Sequence, residues 1–197
     1  MNLPNKLTLM RIILVPFFAA AVLIDKLPHH FLIALLIFAV ASITDMLDGK
    51  IARKYNMVTD FGKFADPLAD KILVISAFAC FVQLGCVGAA FMIIVLFREF
   101  TVTSIRLVAA ENGKVVAANM WGKAKTVSQM VAIIVVLLSR YVIDLMTAGA
   151  FAAAQQQRVT DILALTDTVL LWISGVLTII SGIIYIKDNF EFIKNAK

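Results

Sequence analysis

Six runs of predominantly apolar residues, 7–24, 31–48, 67–84, 89–107, 127–143 and 169–186, take up most of this 197-residue chain. Each is close to the roughly 20 residues an α-helix needs to cross the hydrocarbon of a bilayer. Hydrocarbon offers no partner to a free backbone N–H or C=O, so a run of this kind satisfies its own backbone there as a helix. Of the residues 61% are hydrophobic, beyond what an ordinary soluble domain carries. The expectation is an all-α integral membrane protein of six transmembrane helices, folded as one domain over residues 1–197, with no internal repeat. The first run is too long for the apolar part of a secretory signal and lacks a small-residue cleavage site, so it is expected to stay and span.

An even number of spans puts both termini on one side, and positive charge indicates which. Of the 18 Lys and Arg, all but Lys26, Arg140 and Arg158 lie on the side of the termini. Cytoplasmic segments hold that excess, so both ends are expected in the cytoplasm of a cell whose inner membrane the chain crosses. The formal net charge of +5 then lies against an anionic leaflet, and nucleic acid is not needed to explain it. Cys80 and Cys86, near the outer end of the third run, read as small buried apolar side chains, and a six-residue separation makes a disulfide awkward. His29 and His30, in the first outer connection, read as interfacial residues.

Against this apolar background four aspartates stand out: Asp45, Asp48, Asp66 and Asp70. A carboxylate at the bilayer centre costs about 3 kcal/mol even on insertion scales, so four together require a wet cavity or neutralising cations. Asp45 and Asp48 are three apart on one helix face, which Gly49 and Ala52 continue. Asp66 and Asp70 are four apart, and Pro67 suggests that Asp66 caps a helix starting there. Two helix faces of hard oxygen donors without histidine or cysteine suit two divalent cations, Mg2+ or Mn2+, rather than zinc.

Other polar residues fall at the same end. Asn5, Thr8 and Arg11 are spaced by threes on one face, so Arg11 either snorkels to the interface or points with its neighbours into a shared polar lining. Arg98 and Arg106 are eight apart, about 80° around a helix, and can face one cavity. Trp121, Gly122, Lys123, Lys125, Thr126 and Gln129 open the fifth run; Lys123 and Lys125 are about 200° apart, so one of them faces inward. Residues 50–65 read as a short basic elbow, and 146–160 as an external connection. Ser174, Thr178 and Gly182 form a small-residue ladder suited to close helix packing, with a homodimer seam as a further use.

From Asp45 to Asp70 the chain reads D-x-x-D-G-x-x-A-R, eight residues, then G-x-x-x-D-x-x-x-D. At every fixed position this resembles the signature of the CDP-alcohol phosphotransferase family. The segments NLPNKLTLMRIILVPFF, DPLADK, REFTVTSIR and WGKAKTVSQM extend the likeness toward the member that uses glycerol 3-phosphate. The resemblance implies a polar metal and nucleotide cavity at the cytoplasmic side. There Asp45, Asp48, Asp66 and Asp70 are the metal ligands, Gly49, Ala52, Arg53 and Gly62 hold the CDP moiety with Asn5 and Thr8 nearby, and Asp70 is also general base for the incoming hydroxyl. It implies CDP-diacylglycerol and glycerol 3-phosphate as substrates in a lipid environment. The acceptor's phosphate would be held among Arg98, Arg106, Lys123, Lys125 and Lys63, the cations on that side. An inositol phosphate or serine would be served by the same chemistry. An ion-coupled transporter also uses intramembrane carboxylates, but on broken helices at the midplane.

Overall fold

The computed structural model describes residues 3–55, 60–111, 119–149 and 153–190, with 3–4, 46–55, 60–68, 70, 111 and 153–154 described in backbone only. Among the described residues there are six α-helices and no strand: α1 (Leu3–Leu23), α2 (His30–Tyr55), α3 (Asp60–Gln83), α4 (Ala89–Glu111), α5 (Met120–Ala148) and α6 (Ala153–Asp188). Segments Asn5–Leu23, Met120–Ala148 and Gln155–Asp188 are long and apolar enough to cross a membrane, and His30–Asp45 and Lys71–Gln83 are shorter apolar stretches. The start of α1, the ends of α2, α4 and α6 and the starts of α3 and α5 share one end of the bundle.

Helix ends are set by local chemistry. Asn119 caps α5, its Oδ1 accepting from the Gly122 N–H at 2.8 Å. At the other end of the bundle α3 stops in a glycine turn: Cys86 N–H bonds the Phe81 carbonyl at 2.9 Å and Gly85 N–H that of Val82 at 3.1 Å. Gly85 takes φ 72°, the left-handed position this motif requires.

The core forms where the apolar faces meet. α1 packs along α2 and α3, α5 along α6 and α2, and α4 along α6 and α3. Phe18, Phe38, Phe78, Phe81, Phe91, Ile133, Leu137 and Leu171 are fully buried in one cluster. From it Phe81, Phe78 and Phe91 run edge to face in a row out to the exposed Trp172, with centroid separations of 6.4, 5.0 and 6.2 Å. Gly175 leaves room for that row, since a Cβ there would stand 3.1 Å from the Phe91 ring. Outside, Phe97, Phe100, Ile93, Leu107, Leu165 and Ile183 are exposed, so the bundle presents an apolar exterior as well as an apolar core.

Several boundaries differ from the sequence expectation. α3 begins at Asp60, not at Asp66, so Asp66 is not a cap and Pro67 stands inside the helix. α2 continues past Asp48 to Tyr55, and most of the expected elbow is therefore helix. A proline inside a helix removes one hydrogen bond and strains the preceding turn, and Gly62 is a poor helix former, so α3 extends back to Asp60 against local preference. Residues 155–160 are likewise not a separate connection but the first turns of α6. The ladder of α6 is used inside the chain: Thr178 accepts from Gln129 of α5 at 3.2 Å, and Gly182 faces α4.

Candidate active site

Toward the end of the bundle where α2 ends and α5 begins, five helices enclose a cavity of about 810 Å³. One wall carries Asp45 of α2 and Arg11 of α1. Arg11 does not snorkel: it is 1% exposed, and its Nη1 lies 2.6 Å from Asp45 Oδ1. Asn5 and Thr8, on the same face of α1, are buried with it. The Asp45 side chain is 46% exposed, so its carboxylate is within reach of a hydrated cation despite the arginine beside it. An all-oxygen donor in this position fits a hard divalent ion. Among the described residues no group of three metal-ligating side chains is found, and Asp48, Asp66 and Asp70, together with Gly49, Ala52, Arg53, Gly62 and Lys63, lie where side chains are outside the described part.

The facing wall is cationic. Arg98 and Arg106 both line the cavity, as their spacing on α4 led one to expect. Arg98 is held from two sides, Nη1 against Glu99 Oε1 at 3.0 Å and Nη2 donating to Ser181 Oγ of α6 at 2.7 Å. Its buried Nε has no partner among the described residues. The arginine passes between two glycines: a Cβ on Gly182 would stand 3.1 Å from its Cγ, and one on Gly122 would stand 3.6 Å from its Nη2. Arg106 donates from Nε to Tyr185 Oη at 3.1 Å, and its guanidinium carbon lies 5.6 Å from the centre of that ring. Of the two lysines on α5, Lys125 is buried and donates to Glu99 Oε1, whereas Lys123 is exposed at the rim.

Sequence reasoning missed four contributors to this wall. Lys71 lines the cavity and donates to Thr103 Oγ1, which itself donates to the Glu99 carbonyl at 2.7 Å. Glu99 follows Arg98 in an apolar run, and nothing in its spacing shows the partners it has in the fold. Ser181 and Tyr185 are ordinary residues in sequence; the signal that could have found them is their interval of four on α6, one and three residues from Gly182. The result is three inward-facing cations beyond the one that Glu99 neutralises. Such a wall is built for an anion carrying more than one charge.

The opposite end of the bundle has a smaller cavity of about 560 Å³ lined by His29, His30, Arg140, Tyr141 and Asp144 among others. His30 bonds there to the Ala21 carbonyl at 3.2 Å and to Asp144 Oδ2 at 3.0 Å, and His29 to Tyr141 Oη at 3.2 Å. Both histidines thus tie helix ends together. Cys80 and Cys86 are free thiols. Burial pushes the Cys86 thiol up from its ordinary range, which nearby Arg140 only partly offsets.

Comparison with known proteins bears directly on this cavity. The sequence profile described as CDP-alcohol phosphatidyltransferase matches residues 1–180. A Bacillus subtilis (strain 168) protein named CDP-diacylglycerol--glycerol-3-phosphate 3-phosphatidyltransferase is 39% identical over 99% of this chain and 98% of its own length. Proteins of the same name from Rickettsia bellii and Haemophilus influenzae are 36% and 35% identical, each over 94% of this chain and over 94% and 92% of their own lengths. With the profile covering the acidic stretch and both cavity walls, the chain belongs to the CDP-alcohol phosphatidyltransferase family.

Proposed function

We propose that this membrane protein transfers the phosphatidyl group of CDP-diacylglycerol to the primary hydroxyl of sn-glycerol 3-phosphate, giving phosphatidylglycerol phosphate and CMP. The observation that carries the reading is the pairing, in one cavity, of an oxygen-donor wall at Asp45 with a cationic wall of Lys71, Arg98, Arg106 and Lys125. A donor whose diphosphate needs charge neutralisation and an acceptor with its own phosphate call for two such subsites side by side. The family, and the name its relatives share, support glycerol 3-phosphate over serine, which is neutral overall and has no use for the second wall. They also speak against an ion-coupled transporter, as does the unbroken course of α2 through Asp45 and Asp48.

In this reading Asp45, Asp48, Asp66 and Asp70 hold two Mg2+ or Mn2+ ions, and Gly49, Ala52, Arg53 and Gly62 receive the CDP moiety, with Asn5 and Thr8 shaping the adjacent α1 face. When bound, the cations would neutralise the diphosphate and the charge that builds on the transferring phosphoryl oxygens. Arg98, Arg106 and Lys125 fix the acceptor by its phosphate, so that its hydroxyl meets the phosphorus in line with the departing CMP oxygen. Asp70 accepts the hydroxyl proton as the new P–O bond forms and the bond to CMP breaks. Lys123 and Lys63 attract the anionic acceptor toward the mouth. All six helices span the inner membrane with both termini and the cavity on the cytoplasmic side, where the acceptor is dissolved and the lipid tails stay between helices.

The test is CMP release by purified protein in mixed micelles of CDP-diacylglycerol, with glycerol 3-phosphate, inositol phosphate and serine offered separately, with and without EDTA. Release that needs glycerol 3-phosphate and is abolished by EDTA is the expected result. Release driven by serine alone, or unaffected by EDTA, contradicts the proposal.

A further inference from the structure

Glu99 has no place in the reaction as written, yet it sits at the centre of the cationic wall. It is 7% exposed, and its Oε1 is shared between Lys125 of α5 and Arg98 of its own helix. Through its backbone carbonyl and Thr103 it also connects to Lys71 of α3. A buried carboxylate is costly alone, and so is each buried cation; the three are stable together because one oxygen satisfies two donors at once. That sharing has a geometric consequence. Because the Arg98 and Lys125 N–H groups converge on a single atom, their separation is set by Glu99 rather than by the free rotation of two long side chains. Ser181 fixes the far side of the guanidinium, and Gly182 leaves it only one path.

We propose that Glu99 is a positioning residue for acceptor binding, yoking Arg98 and Lys125 into one phosphate-binding fork. The inference rests on the reading above that this wall receives the acceptor's phosphate. It opposes the simple electrostatic view, in which a carboxylate beside an anion site only weakens binding and its removal tightens it. Preorganisation outweighs that repulsion here, since an unheld lysine and arginine lose more in ordering on each binding event than one shared negative charge subtracts.

The experiment measures initial rates against both substrates for Glu99→Gln, Lys125→Met and the double variant. Glu99→Gln is expected to raise KM for glycerol 3-phosphate about tenfold, the scale of one charge-assisted hydrogen bond, with kcat and KM for CDP-diacylglycerol within about twofold of wild type. In the Lys125→Met background the same substitution is expected to add less than about twofold, because a fork that has lost its lysine leaves Glu99 no spacing to set and Ser181 still holds Arg98. An unchanged or lowered acceptor KM in Glu99→Gln, or effects that multiply in the double variant, overturns the inference. Should Glu99→Gln fail to fold, Glu99→Asp, which keeps the charge but shortens the reach, is expected to raise acceptor KM severalfold, and a wild-type KM overturns the inference equally. If Lys125→Met itself leaves acceptor KM unchanged, the acceptor-pocket reading has failed, and the inference falls with it. Failure confined to the Glu99 variants leaves that reading standing.

Discussion

Replacing Gly182 by alanine adds a single methyl group, and the structure says where it goes. The new Cβ stands 3.1 Å from Arg98 Cγ and 3.8 Å from Arg98 Cβ, against an ordinary carbon contact of about 3.5–4.0 Å. The arginine must yield by a few tenths of an ångström, but its guanidinium is already fastened to Ser181 at 2.7 Å and to Glu99 at 3.0 Å. Overpacking of this size costs about 1–3 kcal/mol, while alanine in place of glycine inside a helix returns about 1 kcal/mol. The net is a loss of up to about 2 kcal/mol, which a thermal melt in detergent reads. Acceptor binding has no such offset. A hydrogen bond to a charged group is worth about 1.5–3 kcal/mol, and losing about half of one raises KM for glycerol 3-phosphate about three- to tenfold. The assay is CMP release against glycerol 3-phosphate at saturating CDP-diacylglycerol, beside a thermal melt of the same sample. An acceptor KM within about twofold of wild type would refute the claim that Gly182 makes room for a phosphate-binding arginine.

Three other outcomes follow from the same geometry. Gly175→Ala places a Cβ 3.1 Å from the Phe91 ring, in the apolar core and away from the cations, so after the same return for alanine over glycine it should lower stability by up to about 2 kcal/mol and leave acceptor KM alone; a melt with the kinetic assay separates the two. Arg106→Ala removes a cavity cation and its contact to Tyr185, and should raise acceptor KM at least tenfold with binding of the CDP-lipid, measured by equilibrium titration, spared. Because burial raises the Cys86 thiol, less of it is thiolate at a given pH, and alkylation by iodoacetamide should be slow at neutral pH and accelerate only in the alkaline range; rapid labelling at neutral pH would show that the turn after α3 is open.

What could be read from the sequence was what local spacing controls. Apolar run length located six helices, and an interval of eight put Arg98 and Arg106 on one cavity. Contacts across long separations could not be read in this way. Arg98 meets Ser181 83 residues away, and Arg106 meets Tyr185 79 away. Only the packing of α4 on α6 makes these pairs. The same packing explains Gly182, which as sequence is one more small residue in a helix-packing ladder, but in the fold is the gap an arginine threads. Glu99 was not legible for a related reason, because a carboxylate in an apolar run shows its cost but not the two cations that offset it. Pro67 follows a rule that usually holds, but a first-turn preference is statistical, and α3 starts at Asp60, seven residues before it. Arg11 was open between two fates, and the partner that decides it, Asp45, lies on another helix.

The most direct test of the two-walled cavity is an experimental structure of the protein in lipid nanodiscs with Mn2+, a CDP-lipid and glycerol 3-phosphate. The account predicts manganese anomalous or density peaks within bonding distance of the Asp45, Asp48, Asp66 and Asp70 carboxylates, and the acceptor's phosphate on Arg98, Arg106 and Lys125. Metal density away from those four aspartates, or a phosphate bound elsewhere with the cationic wall vacant in material that turns over, would contradict it.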